Sequence, residues 1–153
     1  SLGTNHSCAI KNNNTMWCWG SNTSSQLGHS PTNNKKPSLL TTVLDDITYT
    51  ADVYSTASGK THTCSIKTDG SLWCWGSNGH GQSAPTDMAT TIPSARRVIL
   101  PGPVHDVSLG PGFGCVAIAS DAYCWGDNSG GQLGLGSAVA EMRAPTRVGL
   151  PPM

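Results

Sequence analysis

The tetrapeptide Trp17-Cys18-Trp19-Gly20 returns as Trp73-Cys74-Trp75-Gly76 and, with one change, as Tyr123-Cys124-Trp125-Gly126. Three copies of so rare a segment in 153 residues define an internal repeat, and a repeat restricts the architecture before local propensity is considered. The flanks repeat as well. Upstream stand Gly3-x-x-His6-x-Cys8, Gly59-x-x-His62-x-Cys64 and Gly110-x-x-Phe113-x-Cys115. Downstream come Asn22 with Gln26, Asn78 with Gln82 and Asn128 with Gln132, and then Pro37, Pro93 and Pro145. The leading glycines fall at 3, 59 and 110, which divides the chain into repeats of about 3–58, 59–109 and 110–153, the last one incomplete.

The hairpin inside each repeat follows from turn chemistry. If Cys64 faces Cys74, then Ile66 faces Leu72, Lys67 faces Ser71, and Thr68-Asp69-Gly70 remains as a three-residue loop. Such loops place their third residue in the left-handed region, where glycine is the least strained. In the first copy Cys8 faces Cys18 and the loop is Asn12-Asn13-Asn14, asparagine being the next best residue there. In the third, Cys115 and Cys124 are one residue closer, so the turn near Ala119 to Asp121 must be of another type.

Strand alternation puts Cys64, Ile66, Leu72 and Cys74 on one side of the hairpin, and Trp73 and Trp75 on the other. Both sides are apolar and both must be buried, which a sheet stacked between like sheets achieves, as in a β-propeller or β-solenoid. Val53 and Val104, each six residues before a leading glycine, read as a further strand entering the hairpin. Frequent Gly, Asn, Thr and Pro leave little room for a helical repeat.

The pattern Gly-x-x-His-x-Cys, Trp-Cys-Trp-Gly-x-Asn, Gly-Gln-Leu-Gly and Pro resembles the regulator of chromosome condensation repeat family across essentially the whole chain. With its cysteines it is more narrowly similar to an exported bacterial branch of that family. The resemblance implies an all-β fold built of four-stranded blades of about fifty residues, commonly seven in a ring. Three repeats fall short of the four to eight blades of closed propellers. The fold expected is therefore a partial β-propeller of about three blades, a fragment of a larger one or a degenerate short array. A start at a repeat's glycine, with no initiating Met or signal peptide, suggests a mature fragment or excised piece.

Cys8 and Cys18, Cys64 and Cys74, and Cys115 and Cys124 are expected to be disulfide-bonded, with buried free thiols and a metal site as alternatives. His62 shares a face with Cys64 and Cys74, and Cys with His is a usual zinc set. Phe113 replaces the histidine in the third copy, which a ligand set would not tolerate and a disulfide would. Disulfides place the chain in an oxidising compartment: extracellular, periplasmic or cell surface.

Charged residues make up 12% of the chain, about half the usual share, and the formal net charge is zero, so nucleic acid is an unfavoured partner. No run of about 18 apolar residues is present to span a membrane as a helix. Trp17, Trp19, Trp73, Trp75 and Trp125 recur at equivalent positions and read as blade packing rather than a ligand platform. Gly20, Gly76 and Gly126, with Gln26, Gln82 and Gln132, read as scaffold for the same reason. No nucleophile–base pair, phosphate loop or carboxylate dyad stands out, so neither an enzyme nor a cofactor or metal is expected. Sequons stand at Asn5, Asn13 and Asn22, the first at a strand entry where a glycan would be awkward, and the doublets Lys35-Lys36 and Arg96-Arg97 read first as solvated surface.

Recognition is expected where the repeats differ, in the stretches 28–37, 83–93 and 134–145, with His29, Lys35, Lys36, Met88, Ile92, Leu135, Val139 and Met142 as contact points. The reading is a non-catalytic extracellular or envelope module that recognises a protein or glycan, completed by further blades in cis or a second copy in trans. A structural segment of a surface adhesin is the alternative. So are the family's precedents, a guanine-nucleotide exchange factor for a small nuclear GTPase and a secreted enzyme inhibitor.

Overall fold

A computed structural model describes residues 1–29, 34–40, 42–44, 47–49, 52–136 and 139–149. Thirteen strands form among them: β1 (His6–Ile10), β2 (Met16–Gly20), β3 (Asn34–Leu39), β4 (Thr42–Leu44), β5 (Ile47–Tyr49), β6 (Val53–Ser58), β7 (His62–Lys67), β8 (Leu72–Ser77), β9 (Thr91–Val98), β10 (Asp106–Leu109), β11 (Phe113–Ile118), β12 (Asp121–Asp127) and β13 (Glu141–Val148). They make three blade sheets, β1-β2-β3, β6-β7-β8-β9 and β10-β11-β12-β13, antiparallel throughout, and a separate β4-β5 hairpin. The chain is an all-β partial propeller.

The first sheet has three strands among the described residues rather than four. Ser1 stands where a fourth would be: its terminal amine donates to Cys8 O at 2.8 Å and its carbonyl accepts from Cys8 N at 3.0 Å. Ala57 of β6 holds that place opposite Cys64 in the second sheet. Val104 lies two residues before β10 and donates its N–H to Gly70 O, so it is connector, not strand. The β4-β5 hairpin has no counterpart between the second and third sheets, and it lengthens the first repeat.

The cysteines face one another in register, Cys8 with Cys18, Cys64 with Cys74 and Cys115 with Cys124. All three pairs are disulfides with Cα atoms 4.1–4.2 Å apart. Asn14 (φ 60°) and Gly70 (φ 79°) occupy the left-handed position of their loops. The third hairpin turns on two residues, Ala119-Ser120, between the paired Ile118 and Asp121, with Ala119 at φ 52°.

Each outgoing strand carries a register shift beside the glycine of the tetrapeptide. Gly76 sits there at φ 103°, and a Cβ on it would lie 2.6 Å from Thr61 O. Only glycine meets both demands, so the bulge accounts for this position of the repeat.

Two cores run between the sheets. One joins Cys8, Met16, Cys18 and Leu40 of the first blade to Trp73 and Trp75 of the second. The other joins Cys64, Ile66, Leu72 and Cys74 of the second to Val107, Val116 and Trp125 of the third. In both cores one blade's cysteine face packs against the next blade's tryptophan face. At ~25 cal/mol per Å² of apolar area, these stacked faces are the main stabilising force.

Candidate functional site

The connections into β7 and out of β8 emerge at one end of the sheet, so the loops 21–29, 78–90, 128–136 and 139–140 share one rim of the propeller with the turns at Gly3, Gly59 and Gly110. The recurring polar residues build that rim. Asn22 Oδ1 accepts from Leu27 N and its Nδ2 donates to His29 O. Asn78 Oδ1 accepts from Ser83 N and Ala84 N, and its Nδ2 reaches Ala84 O, Asp87 O and Ala89 O. Asn128 repeats this with Leu133 N and Val139 O. Gln26, Gln82 and Gln132 each accept at 2.8 Å from the amide two residues back, on Ser24, His80 and Gly130. Such bonds satisfy backbone groups that strands do not pair, and they fix loops too irregular for ladder bonds.

The tryptophans tie each rim loop to the following blade. Trp75 Nε1 donates to Gln26 O at 2.9 Å, and Trp125 Nε1 to Gln82 O at 3.0 Å. Both indoles are fully buried, whereas Trp17 and Trp19 on the outer face of the first blade are half-buried.

Beneath the rim lie two equivalent histidines with unequal surroundings. His6 Nε2 meets Thr63 Oγ1 at 2.8 Å, and that hydroxyl donates to Gln26 O at 2.7 Å. Gly114 follows Phe113 as Thr63 follows His62, so the hydroxyl that meets His6 has no counterpart at the equivalent position for His62. Neither ring nitrogen of His62 has a hydrogen-bond partner of full geometry among the described residues. Burial, and then the nearby His6, push its pKa down to about 4, and the Phe113 backbone offsets only part of this. Burial, with the amino terminus, also lowers His6 to about 4. Both are neutral packing residues at neutral pH.

The expected contact residues do not form one patch. Met88 is 75% exposed and Val139 50%, both on rim loops. Leu135 and His29 are partly buried, and burial lowers the His29 pKa. Ile92 is not a loop residue. It lies in β9, 2% exposed in the first core, because Asn78 ends the loop at Ala89 and the strand begins at Thr91. Met142 is likewise in β13, paired with Gly126. Lys35 and Lys36 stand exposed in β3. Residues 30–33 and 137–138 of the variable stretches, and 150–153 of the last repeat, lie outside the described residues.

One polar cluster on this rim had no signal in the sequence. Glu141 Oε2 lies 3.2 Å from His80 Nδ1 and its Oε1 3.4 Å from Arg143 Nε. Arg143 Nη2 donates to Gly79 O at 2.9 Å and Nη1 to Asp87 O at 3.3 Å, clamping the second blade's loop to β13. Its members are unique to their repeats and meet only when the blades stack. Among the described residues no three His, Cys, Asp or Glu come together to hold a metal ion. Among the described residues no helix is long and apolar enough to cross a membrane.

Stacked, disulfide-closed blades carrying a built-up loop rim define a segment of a repeat propeller. Models of the regulator of chromosome condensation (RCC1) repeat match residues 1–26, 53–82 and 121–152, together more than half of the chain, and the chain belongs to that family. It is 27% identical over 141 residues to human E3 ubiquitin-protein ligase HERC2, covering 89% of this chain and 3% of that protein. It is 28% identical over 144 residues to the Arabidopsis thaliana ultraviolet-B receptor UVR8, covering 89% of this chain and 31% of that one. Prp20p from Saccharomyces cerevisiae, crystallised in a study of its binding to Gsp1p and histones, superimposes with a TM-score of 0.80 at 22% identity. That match covers 96% of this chain and 37% of Prp20p. The chain thus spans well under half of each of these relatives.

These relatives correct four expectations. They are human, plant and yeast proteins, so the narrower likeness to an exported bacterial branch does not hold. The extracellular, periplasmic or cell-surface location falls with it, since it was tied to that branch and the curated relatives, a ubiquitin-protein ligase and an ultraviolet-B receptor, are not of it. So does the reading as an extracellular module for protein or glycan. The expectation of no enzymatic role is overturned too, because the relatives include a named ubiquitin ligase. The fourth expectation rested on the lack of a catalytic pair in the sequence, whereas the first three share one physical reason. Facing cysteines on a hairpin report strand register, and compartment was inferred from them alone.

Proposed function

We propose that this chain is the protein-recognition part of an RCC1-type regulatory propeller, and that the whole propeller promotes guanine-nucleotide exchange on a small GTPase. The observation that carries this reading is the rim itself. A rigid repeated scaffold of Asn, Gln and buried Trp presents loops that differ from blade to blade, with Met88 and Val139 exposed on them. Apolar side chains held on stiff loops are suited to contact with a protein, because little conformational entropy remains to be lost on binding. Likeness to Prp20p, studied for binding to Gsp1p and histones, supports a protein partner. The family resemblance supports the GTPase class.

Release of a fluorescent guanine nucleotide from a recombinant nuclear small GTPase, with surface-immobilised binding alongside, tests the proposal. The chain should bind the GTPase. Met88→Asp with Val139→Asp should weaken binding about tenfold while the melting temperature stays unchanged, as expected for two exposed contact residues. Absent or unaltered binding would put the function elsewhere.

A further inference from the structure

The formal charge of the chain is zero, yet its cations are not evenly spread. The outermost strand of each sheet, β3, β9 and β13, carries Lys35 and Lys36, Arg96 and Arg97, and Arg143 and Arg147. These are six of the nine Lys and Arg residues, and the three strands hold one acid, Glu141. The perimeter of the propeller segment is therefore basic, while the chain as a whole is neutral.

Two of these cations are satisfied. Arg143 is held by Glu141 and two loop carbonyls, and Arg147 Nη2 meets Asp121 Oδ1 at 2.6 Å. Arg96 and Arg97 are exposed and form no ion pair among the described residues. Arg96 pairs with Cys74 across the ladder and so shares the sheet face turned toward the third blade. There it lines a cleft of about 250 Å³ between β9 and β13, walled by Pro85, Thr86, Ile99 and Pro145. Ile99 is 76% exposed. Asp87 also borders the cleft, with its Oδ1 accepting from Ala89 N.

We infer that this outer-edge cleft, with Arg96 as the cation on its face and Arg97 at its border on the opposite face of β9, binds an acidic protein segment that carries an aliphatic residue. Guanidinium groups beside apolar walls read a carboxylate and a methyl-bearing side chain together. The cleft has no aromatic side chain on which a base could stack, which disfavours single-stranded nucleic acid. The inference deepens the protein-recognition reading and rests on it, but extends the contact outward from the rim: residues 84–87 of the loop that carries Met88 form one wall of the cleft, and the outer strand β9 supplies its cation.

The test uses a fluorescein-labelled peptide alternating Glu or Asp with Leu, its Lys-for-acid counterpart and a labelled oligothymidylate. Anisotropy is followed with the wild-type chain, Arg96→Glu/Arg97→Glu and Lys35→Glu/Lys36→Glu. The two variants change net charge equally, on different blades. The acidic peptide should bind the wild type, weaken about tenfold with the arginine variant and change less than about twofold with the lysine variant. The Lys peptide should not bind, and the oligothymidylate should bind more weakly than the acidic peptide. Equal weakening by both variants, tighter binding of the oligothymidylate, or no acidic-peptide binding at about 1 mM would overturn the inference. If the arginine variant melts early, Arg96→Gln/Arg97→Gln replaces it with the same expectations. GTPase binding retained without peptide binding would sink this inference and leave the rim reading standing. The reverse pattern would do the opposite.

Discussion

The first and second blades carry the same tetrapeptide and hold it differently. In the second blade Trp75 is fully buried, packed among Met16, Leu27 and Leu40 and bonded to Gln26 O. In the first blade the equivalent Trp19 is half-buried, with no described blade on its side. The same residue in the same strand register therefore differs in worth according to its neighbour. A repeat specifies an interface, and the interface needs two repeats, which makes stability in such arrays a sum over neighbours.

Replacing each tryptophan by alanine should break this equivalence most visibly. Trp75→Ala removes a large buried side chain and leaves a cavity between blades, at a cost of about 3–5 kcal/mol. It also leaves Gln26 O with one donor fewer, Thr63 Oγ1 remaining at 2.7 Å. Trp19→Ala removes a partly exposed side chain and should cost about 1 kcal/mol. Urea unfolding monitored by far-UV circular dichroism would measure both. Equal shifts of the midpoint would mean that the tryptophan face of the first blade is covered as fully as that of the second.

The second and third blades differ at His62 and Phe113. His62 is buried with a pKa of about 4, against 6.5 for an exposed histidine. The unfolded chain therefore takes up a proton at higher pH than the folded one. Stability is complete above pH 6.5, falls as pH drops from 6.5 to about 4, and then levels off with respect to this group. The loss from His62 is on the order of 3 kcal/mol. His62→Phe, which copies the third blade, should flatten the urea midpoint between pH 7 and 4. His6→Phe should flatten it less cleanly, because it also removes the bond to Thr63. A pH profile identical to wild type in His62→Phe would show that the ring is hydrated in the folded protein.

What the residues declared of the fold was what one hairpin can declare. Facing cysteines fixed register, Gly70 and Asn14 fixed the turns, and the two apolar faces required neighbours on both sides. The β4-β5 hairpin was hidden because it occurs once, so that only the longer spacing of the first repeat, 59 − 3 = 56 against 110 − 59 = 51, marked it. Ile92 and Met142 were misplaced because strand limits depend on where Asn78 and Asn128 end their loops. The Glu141, Arg143 and His80 cluster joins residues about sixty positions apart that only stacking brings together. The family was readable from motif length, whereas the compartment was inferred from cysteine chemistry that strand geometry explains equally well.

The smallest expected effect lies within β13, where two arginines invite opposite conclusions from distance alone. Arg147 has the shorter contact, 2.6 Å to Asp121, yet its side chain is 65% exposed. Arg143 lies 3.4 Å from Glu141, but it is 24% exposed and also holds Gly79 O and Asp87 O of the neighbouring blade's loop. Exposed ion pairs lose most of their Coulomb energy to water and to side-chain entropy. Carbonyls bridged by a partly buried guanidinium keep more of theirs. Arg147→Ala should therefore leave the melting temperature unchanged, and Arg143→Ala should cost about 1 kcal/mol. The loss should survive 0.5 M salt, because two of the three contacts are hydrogen bonds to backbone rather than to a carboxylate. If salt abolished it, the clamp between the second and third blades would be the ion pair to Glu141, and the loop carbonyls would be bystanders.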